Sequence, residues 1–319
     1  MSLLEILPNL EERIAGLVAR HKTAAAGIDW SYSDYLPLDA YHARESHPQL
    51  SEATYVAVET ALLTEVNLPW YTSALHEGMK GAPDSMREFV HVWTSEEDQH
   101  SLLLETYLLL TNNGDHRARM KQRKVTVYTG YQHDMGGPVE AMAYTSIQEM
   151  ATRAFYICTA EACQQEAPDL ARALQRIAKD ETLHMAFYRD VVKAHLDSDP
   201  DYIEPIAKAI VEFQMPGYIL EDYRQRSEYL ARTKIFGPEH FYKQVMQVLW
   251  AYWGLDEAME KLSPERRAAL RLDKYRSAMQ KLSSRYERQA GDESKIVVPA
   301  TVSYRPSGST NGISNGHSD

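Results

Sequence analysis

Glu97-Asp-Gln-His100 is the stretch that decides how this chain folds. A Glu and a His three residues apart stand one above the other on a single helix face, where both side chains reach the same point. Glu65 lies 32 residues before Glu97, and the pattern returns 84 positions later as Glu149, Glu181 and His184. A lone Glu followed by Glu-x-x-His, given twice, is what four facing helices need to hold two metal ions between them. The repeat predicts an all-α bundle made of two helical pairs around a pseudo-twofold axis.

The donors also indicate the metal. Four carboxylates and two imidazoles bring four negative charges, matching two divalent ions. Buried without metal, such a cluster would repel itself and take up protons. An oxygen-rich set without thiolate favours iron, with manganese as the alternative, over structural zinc. The chain carries three Glu-x-x-His motifs, and the third serves as a control. Glu88-Phe-Val-His91 lies nine residues before Glu97-His100, half a turn out of phase on the same helix, and has no counterpart at +84. It reads as a surface or packing pair. Glu65, beside Ala61-Leu-Leu63 and Leu68-Pro-Trp70, and Glu149, within Ala143–Thr152, are lone acids in apolar company, as inward ligands are.

Working outward, the 319 residues are 44% hydrophobic, enough for a full core without disulfides. Helical periodicity places helices at 2–22, 51–79, 84–111, 115–131, 138–166, 168–197, 200–231, 238–256 and 262–290. Four of them are about 28–30 residues long, as in ferritin-like bundles. Between the first two, the Tyr-, Asp- and Pro-rich segment 25–50 reads as ordered but irregular. Residues 1–297 are expected to form one domain and 298–319 a disordered tail. The net charge of −11 disfavours broad contact with nucleic acid or anionic lipid, and no apolar run is long enough to span a membrane. Cys158 and Cys163 are the only cysteines, five residues apart on one helix, and would not readily pair. Together with the lack of a signal peptide, they imply a cytoplasmic setting.

The segments TEVNLPWY (64–71), WTSEEDQHSLLLETYLLL (93–110), YTSIQEMATRAFY (144–156) and AKDETLHMAFYRDVV (178–192) resemble the soluble acyl-carrier-protein desaturases. The likeness covers residues from about 25 to about 290 and includes every metal position in order. The resemblance implies a homodimeric, ferritin-like di-iron helical bundle with additional peripheral helices. It also implies an enzyme that uses O2 and electrons from ferredoxin to insert a double bond into a carrier-bound fatty acyl chain. On this likeness Glu97 and Glu181 bridge the irons, Glu65 and Glu149 are terminal ligands, and His100 and His184 each bind one iron. Thr152 matches a threonine associated with oxygen chemistry, although a helix hydroxyl bonded to its own backbone is an equal reading. Trp30 and Asp180 match a Trp–Asp–His relay to the first iron, although Trp30 alone reads more simply as a core anchor.

The chain departs from the family pattern in two places. Asp98-Gln99 replaces a usual Asn-Arg, which makes that helix side more acidic. Gly217-Tyr218 follows the Met215-Pro216 pair and, with Trp70, is expected to reshape a substrate channel. Arg117, Arg119, Lys121, Arg123 and Lys124 lie within eight residues of an otherwise acidic chain. As a bare pattern they form a solvated basic face; under the resemblance they form a landing site for an acidic acyl carrier protein. The competing readings are a di-iron hydroxylase or oxidase acting on another acyl thioester, and a ferritin-like metal-binding protein without catalysis.

Overall fold

The computed structural model describes residues 8–304, apart from 37, 44–45, 263–266 and 289–296. Among these residues there are helices and no β-strand. In chain order they are α1 (Pro8–Ala25), α2 (Tyr32–Tyr35), α3 (Leu38–His42), α4 (Glu52–Glu65), α5 (Leu68–Gly78), α6 (Asp84–Leu110), α7 (His116–Thr129), α8 (Pro138–Cys163), α9 (Pro168–Ser198), α10 (Ile203–Glu212), α11 (Tyr223–Arg232), α12 (Pro238–His240), α13 (Gln247–Trp253), α14 (Leu255–Glu260) and α15 (Arg267–Arg288). Tight 3-10 turns at Pro200–Tyr202 and Pro216–Ile219 and a π-helical turn at Phe241–Met246 connect some of them.

Helices α4, α6, α8 and α9 form the bundle, with α8 packed most extensively on α9. The buried positions of α6 show why it belongs there. Met86, Phe89, Val90, Trp93, Glu97, His100, Leu103, Leu104, Tyr107 and Leu108 recur every three or four residues and make one stripe. Glu97 and His100 lie in that stripe. Glu88 and His91 lie off it, exposed, with Glu88 paired to Lys22 and His91 packed on His76. Helix α4 has no polar face over its middle: every residue from Thr54 to Leu63 is buried, because α6 and α8 cover one side and α11 the other. The peripheral helices close the ends and flanks, giving a ferritin-like bundle with added helices. No described helix is long and apolar enough to cross a membrane.

The element boundaries differ from expectation where backbone donors are missing. The helix expected at 51–79 is two helices, because Pro69 enters at the first turn of α5 and Asn67 spends its side chain on the Gly130 carbonyl. The break leaves Glu65 as the last residue of α4. The helix expected at 200–231 is interrupted around Met215-Pro216, where the chain runs extended into a 3-10 turn. The helix expected at 238–256 ends at Gly254, which takes the left-handed conformation with φ 65°. Segment 25–50 contains the short helices α2 and α3, the first closed by a capping box at Ser31 and Asp34. Residues 2–7 of the helix expected at 2–22 lie outside the described residues. Cys158 and Cys163 are both free and buried in α8.

The expected disordered tail requires correction at its start. Residues 297–304 lie across α4, α7 and α11 as a strap, and only 305–319 fall outside the described residues. Val302 packs into the core, the Ser303 carbonyl accepts from Asp115 N–H at 2.7 Å, and Thr301 hydroxyl donates to Asp222. The attraction is a buried carboxylate. Glu59 on α4 is wholly buried and accepts from Arg226 Nη1 at 2.9 Å, Tyr55 hydroxyl at 3.0 Å, and both the backbone and hydroxyl of Ser303. Polar side chains, rather than apolar bulk, hold the strap, which is why its low hydrophobicity misleads. Gly114 lies beneath it with φ 73°, and a Cβ there would meet the Tyr55 hydroxyl at 2.0 Å, so this turn admits only glycine.

Candidate metal centre

The four bundle helices bring the six predicted donors together. Glu65, Glu97, His100 and Glu181 form one cluster, and Glu97, Glu149, Glu181 and His184 form a second, with donor atoms inside each within 4.8 Å of one another. Glu97 and Glu181 belong to both, which is the arrangement of two metals sharing two carboxylates. The imidazoles point inward through Nδ1. His100 Nδ1 is 2.8 Å from Glu97 Oε2, and His184 Nδ1 is 2.8 Å from Glu97 Oε1. Glu97 Oε1, Glu149 Oε2, both Glu181 oxygens and both Nδ1 atoms are buried without a hydrogen-bond partner. Buried polar atoms seldom go unpaired, so inward-facing orphans of this kind fit bound cations. Carboxylate and imidazole donors without sulfur suit two iron ions, with manganese as the alternative.

Electrostatics of the metal-free cluster lead to the same conclusion. Burial and the neighbouring Glu97 raise the Glu65 carboxyl to about 7, and burial together with Glu97 and Glu149 raises Glu181 well above the usual carboxylate range. Burial also opposes ionisation of Glu97, but His100 and His184 overcome it and hold that carboxylate low. Both imidazoles are raised in turn: burial works against their charge, and Glu97 outweighs it. The site stores protons where metal would place charge. Metal loading must therefore displace the proton on Glu65, so apparent affinity is expected to fall as pH drops through about 7. Titrating iron(II) into the metal-free protein with a pH indicator measures this. Equal affinity and no proton release at about pH 6 would contradict it.

A second set of side chains holds the ligands. Trp30 Nε1 donates to Asp180 Oδ2 at 2.9 Å, and the same oxygen stands 3.5 Å from His100 Nε2. Gln99 clamps this corner by donating to the Trp30 carbonyl at 3.0 Å and accepting from Tyr32 N–H at 3.1 Å. The residue that departs from the family pattern thus fixes the Trp30 segment, while Asp98 is exposed. Across the pseudo-twofold, Glu96 Oε2 lies 2.9 Å from His184 Nε2 and 2.9 Å from His21 Nε2. Burial opposes its charge, but these two imidazoles hold Glu96 down to about 2. Trp93 Nε1 donates to Glu149 Oε1 at 2.9 Å, and the Tyr156 hydroxyl donates to Glu65 Oε1 at 2.5 Å. Sequence reasoning missed Glu96, His21, Trp93 and Tyr156. Glu96 was within reach, since 84 added to 96 gives Asp180, so the repeat extends one position further than the ligands.

Beside the clusters lies a cavity of about 70 Å³ lined by Glu65, Glu97, Thr152, Trp93, Tyr71, Met215, Pro216 and Gly217, among others. Thr152 lines it, and its hydroxyl donates to the Gln148 carbonyl at 3.0 Å, the bond of a helix hydroxyl to its own backbone. Gly217 lines the cavity, but Trp70 does not: it is half-exposed and donates to the Val127 carbonyl. The basic run also requires correction. Arg119 is 0% exposed and is used up on Glu105, Tyr55 and the Asn113 carbonyl. Arg117, Lys121 and Lys124 remain exposed on α7, with Arg123 half-buried.

A four-helix bundle holding paired, carboxylate-shared Glu/His clusters defines a ferritin-like dimetal protein. The chain belongs to the fatty acid desaturase family, whose sequence model, described as "Fatty acid desaturase", matches residues 2–302. It is 31% identical over 267 residues to a protein named acyl-(acyl-carrier-protein) desaturase DesA1 of Mycobacterium tuberculosis (strain H37Rv), covering 77% of each chain. It is 27% identical over 299 residues to the chloroplastic stearoyl-(acyl-carrier-protein) 9-desaturase 3 of Arabidopsis thaliana, covering 86% of this chain and 74% of that one. In fold it is similar to the X-ray structure of DesA2 from Mycobacterium tuberculosis H37Rv, with TM-score 0.60 and 24% identity over 79% of this chain and 98% of that one. The protein is an oxidoreductase with an iron-type dimetal centre and desaturase-type activity on an acyl chain.

Proposed function

We propose that the protein removes two adjacent hydrogens from a fatty acyl chain held as a thioester on an acyl carrier protein, with ferredoxin as electron donor. Per double bond, the reaction consumes one O2, two electrons and two protons and releases two waters. The observation that carries this reading is the cavity that sets apolar walls against Glu65 and Glu97, the latter common to both carboxylate clusters. Glu65, Glu97, His100, Glu149, Glu181 and His184 would hold two iron ions. When bound, these supply the O2 activation that breaking an unactivated C–H bond requires and that no side-chain acid or base provides.

The chain's own residues do the rest. Glu97 and Glu181, each common to both clusters, fix the spacing of the two metal positions. Glu96 orients His184 from behind at 2.9 Å, and Asp180 stands 3.5 Å behind His100, so that each imidazole presents Nδ1 inward. Trp30 steadies Asp180, and His21 steadies Glu96. Thr152 places a hydroxyl on the cavity wall that Glu65 also lines. Aromatic and aliphatic walls keep water from the reacting carbons and align one C–C bond with the metals, at about 0.8 kcal/mol for each methylene buried.

Carrier recognition rests on charge. Arg117, Lys121 and Lys124 share an exposed strip of α7 with Met120, Val125 and the 90% exposed Tyr128, a surface suited to an acidic partner with apolar contacts. No residue from 117 to 124 lines the cavity, so docking and chemistry occupy separate places. We assign the assembly as a homodimer on the strength of the family resemblance, and a reducing, cytoplasmic compartment on the strength of the two unpaired cysteines. Reconstitution with iron, ferredoxin and a reductase, followed by product analysis from acyl carriers of several lengths, tests the reading. An alkene is expected, with Lys121→Glu/Lys124→Glu weakening carrier binding at least tenfold at low salt. A hydroxylated chain, or O2 consumption that leaves every acyl carrier intact, would sink it.

A further inference from the structure

Two imidazoles meet outside the dimetal centre. His76 on α5 and His91 on α6 have ring centres 4.5 Å apart and planes tilted by 49°. Neither belongs to the two donor clusters. His91 is part of the third Glu-x-x-His motif, the one that helical phase sets off the ligand stripe. It precedes His100 by nine residues, about 14 Å along the helix axis and half a turn round it.

The packing of α5 on α6 brings the rings together. The Thr72 and Thr94 hydroxyls are hydrogen-bonded at 2.8 Å. His76 lies one turn after Thr72 and His91 one turn before Thr94, so in this antiparallel pair the histidines form the next rung. His76 Nε2 is buried with no hydrogen-bond partner, whereas His91 is exposed. The acids beside them are already engaged, Glu77 by Lys80 and Glu88 by Lys22. Burial, and after it the neighbouring His91, hold the His76 imidazole below its ordinary value, which leaves a nitrogen lone pair free. An orphaned buried nitrogen beside a second imidazole is short of a shared electrophile.

The spacing suits one metal ion. A tetrahedral ion held at about 2.1 Å by two imidazole nitrogens sets the ring centres about 5 Å apart. From 4.5 Å the pair opens to that spacing by less than about 1 Å, and an exposed ring such as His91 changes rotamer freely. His100 and His184, by contrast, lie 6.5 Å apart, a span for two ions rather than one.

We propose that His76 and His91 form a further metal site, which takes one divalent ion of the zinc, nickel or copper(II) class and clamps α5 to α6. Imidazole nitrogens without a carboxylate disfavour magnesium and manganese, and the usual order of stability places iron(II) below nickel and copper. The chain thereby sorts metals by donor set, oxygen-rich and buried for iron, nitrogen-only and open to solvent for the zinc class. Water completes the coordination, so the ion exchanges with solution. The clamp acts on α5, which follows α4 across the break at Asn67 and carries Tyr71 on the cavity wall.

The test titrates zinc chloride into the iron-loaded protein by calorimetry and measures the iron retained. One zinc per chain is expected, with iron content unchanged. His76→Ala and His91→Ala should each keep their iron and weaken zinc binding by at least about tenfold, the low end for losing even a supporting partner of a ligand. Zinc should raise the thermal midpoint of the wild type more than that of either variant. Copper(II), used as a spectroscopic probe, should show nitrogen splittings from two imidazoles in the wild type and fewer in His91→Ala. Equal zinc affinity in wild type and His91→Ala overturns the site, as does zinc taken up only while iron leaves, or no zinc bound at millimolar concentration. His91→Ala decides the matter should His76→Ala fail to fold, because position 91 is exposed and accepts alanine in its helix.

Discussion

Replacing Glu149 by alanine is expected to reduce metal content from two ions per chain toward one and to lower turnover by more than about 100-fold. Glu149 is wholly buried, and its Oε2 faces the second cluster without a hydrogen-bond partner, 3.8 Å from His184 Nδ1. Its loss leaves that metal Glu97 and Glu181, which it must share, and one imidazole. The variant has a second signature that mere misfolding would not give. The metal-free protein should lose little stability, since the alanine removes one of several mutually repelling buried acids and offsets the cost of the Trp93 N–H left unpaired, about 1–3 kcal/mol. The stabilisation gained on adding iron should shrink by more. Metal analysis and thermal unfolding with and without iron read both effects. Glu88→Ala is the control, because Glu88 is exposed on α6 and off the ligand stripe. Should Glu88→Ala lose metal while Glu149→Ala keeps it, the phase argument that separates the motifs would be wrong.

The largest expected effect on stability comes from Arg226→Met. Arg226 is 1% exposed and is the cation that answers two buried acids, Glu59 at 2.9 Å and Asp222 at 2.7 Å. Removing one partner of a buried pair leaves an uncompensated charge, which costs about 3–5 kcal/mol. Tyr55 and Ser303 continue to donate to Glu59, but neither carries charge. The double variant Glu59→Gln/Arg226→Met should recover the part of the loss that comes from Glu59, because the amide needs no counter-ion, while Asp222 still lacks its cation. Denaturant midpoints measure both variants. A cost below about 1 kcal/mol for Arg226→Met would mean that neutral donors suffice for Glu59.

The ligands were legible because a metal site imposes two regularities that a sequence displays directly. Helical phase sets Glu97 against His100, and bundle symmetry sets both against Glu181 and His184. The same phase removed Glu88 and His91. Glu96 follows the symmetry as well, but nothing local distinguishes a carboxylate that backs an imidazole from one in solvent. His21 had no signal at all, since its meeting with Glu96 across 75 residues depends on how α1 lies against α6 and α9. Arg119 misled for the opposite reason. Its neighbours Arg117, Lys121 and Lys124 are solvated, and the turn of α7 that buries one of the series is set by Glu105 and Tyr55 on other helices. The strap misled because polarity was taken as a sign of disorder, whereas a buried acid recruits polar chain.

The strap also bears on synthesis. Glu59 is made early, and its partners Arg226 and Ser303 follow 167 and 244 residues later. A ribosome has therefore produced the first metal helix, and most of the bundle, well before that acid can be satisfied. During this interval the outer side of α4 lacks its cover, and solvent or a chaperone must serve it. The cover of Glu59 is completed only by the strap, the final described stretch of chain to emerge, which also bonds Asp222 beside Tyr223 on the cavity wall.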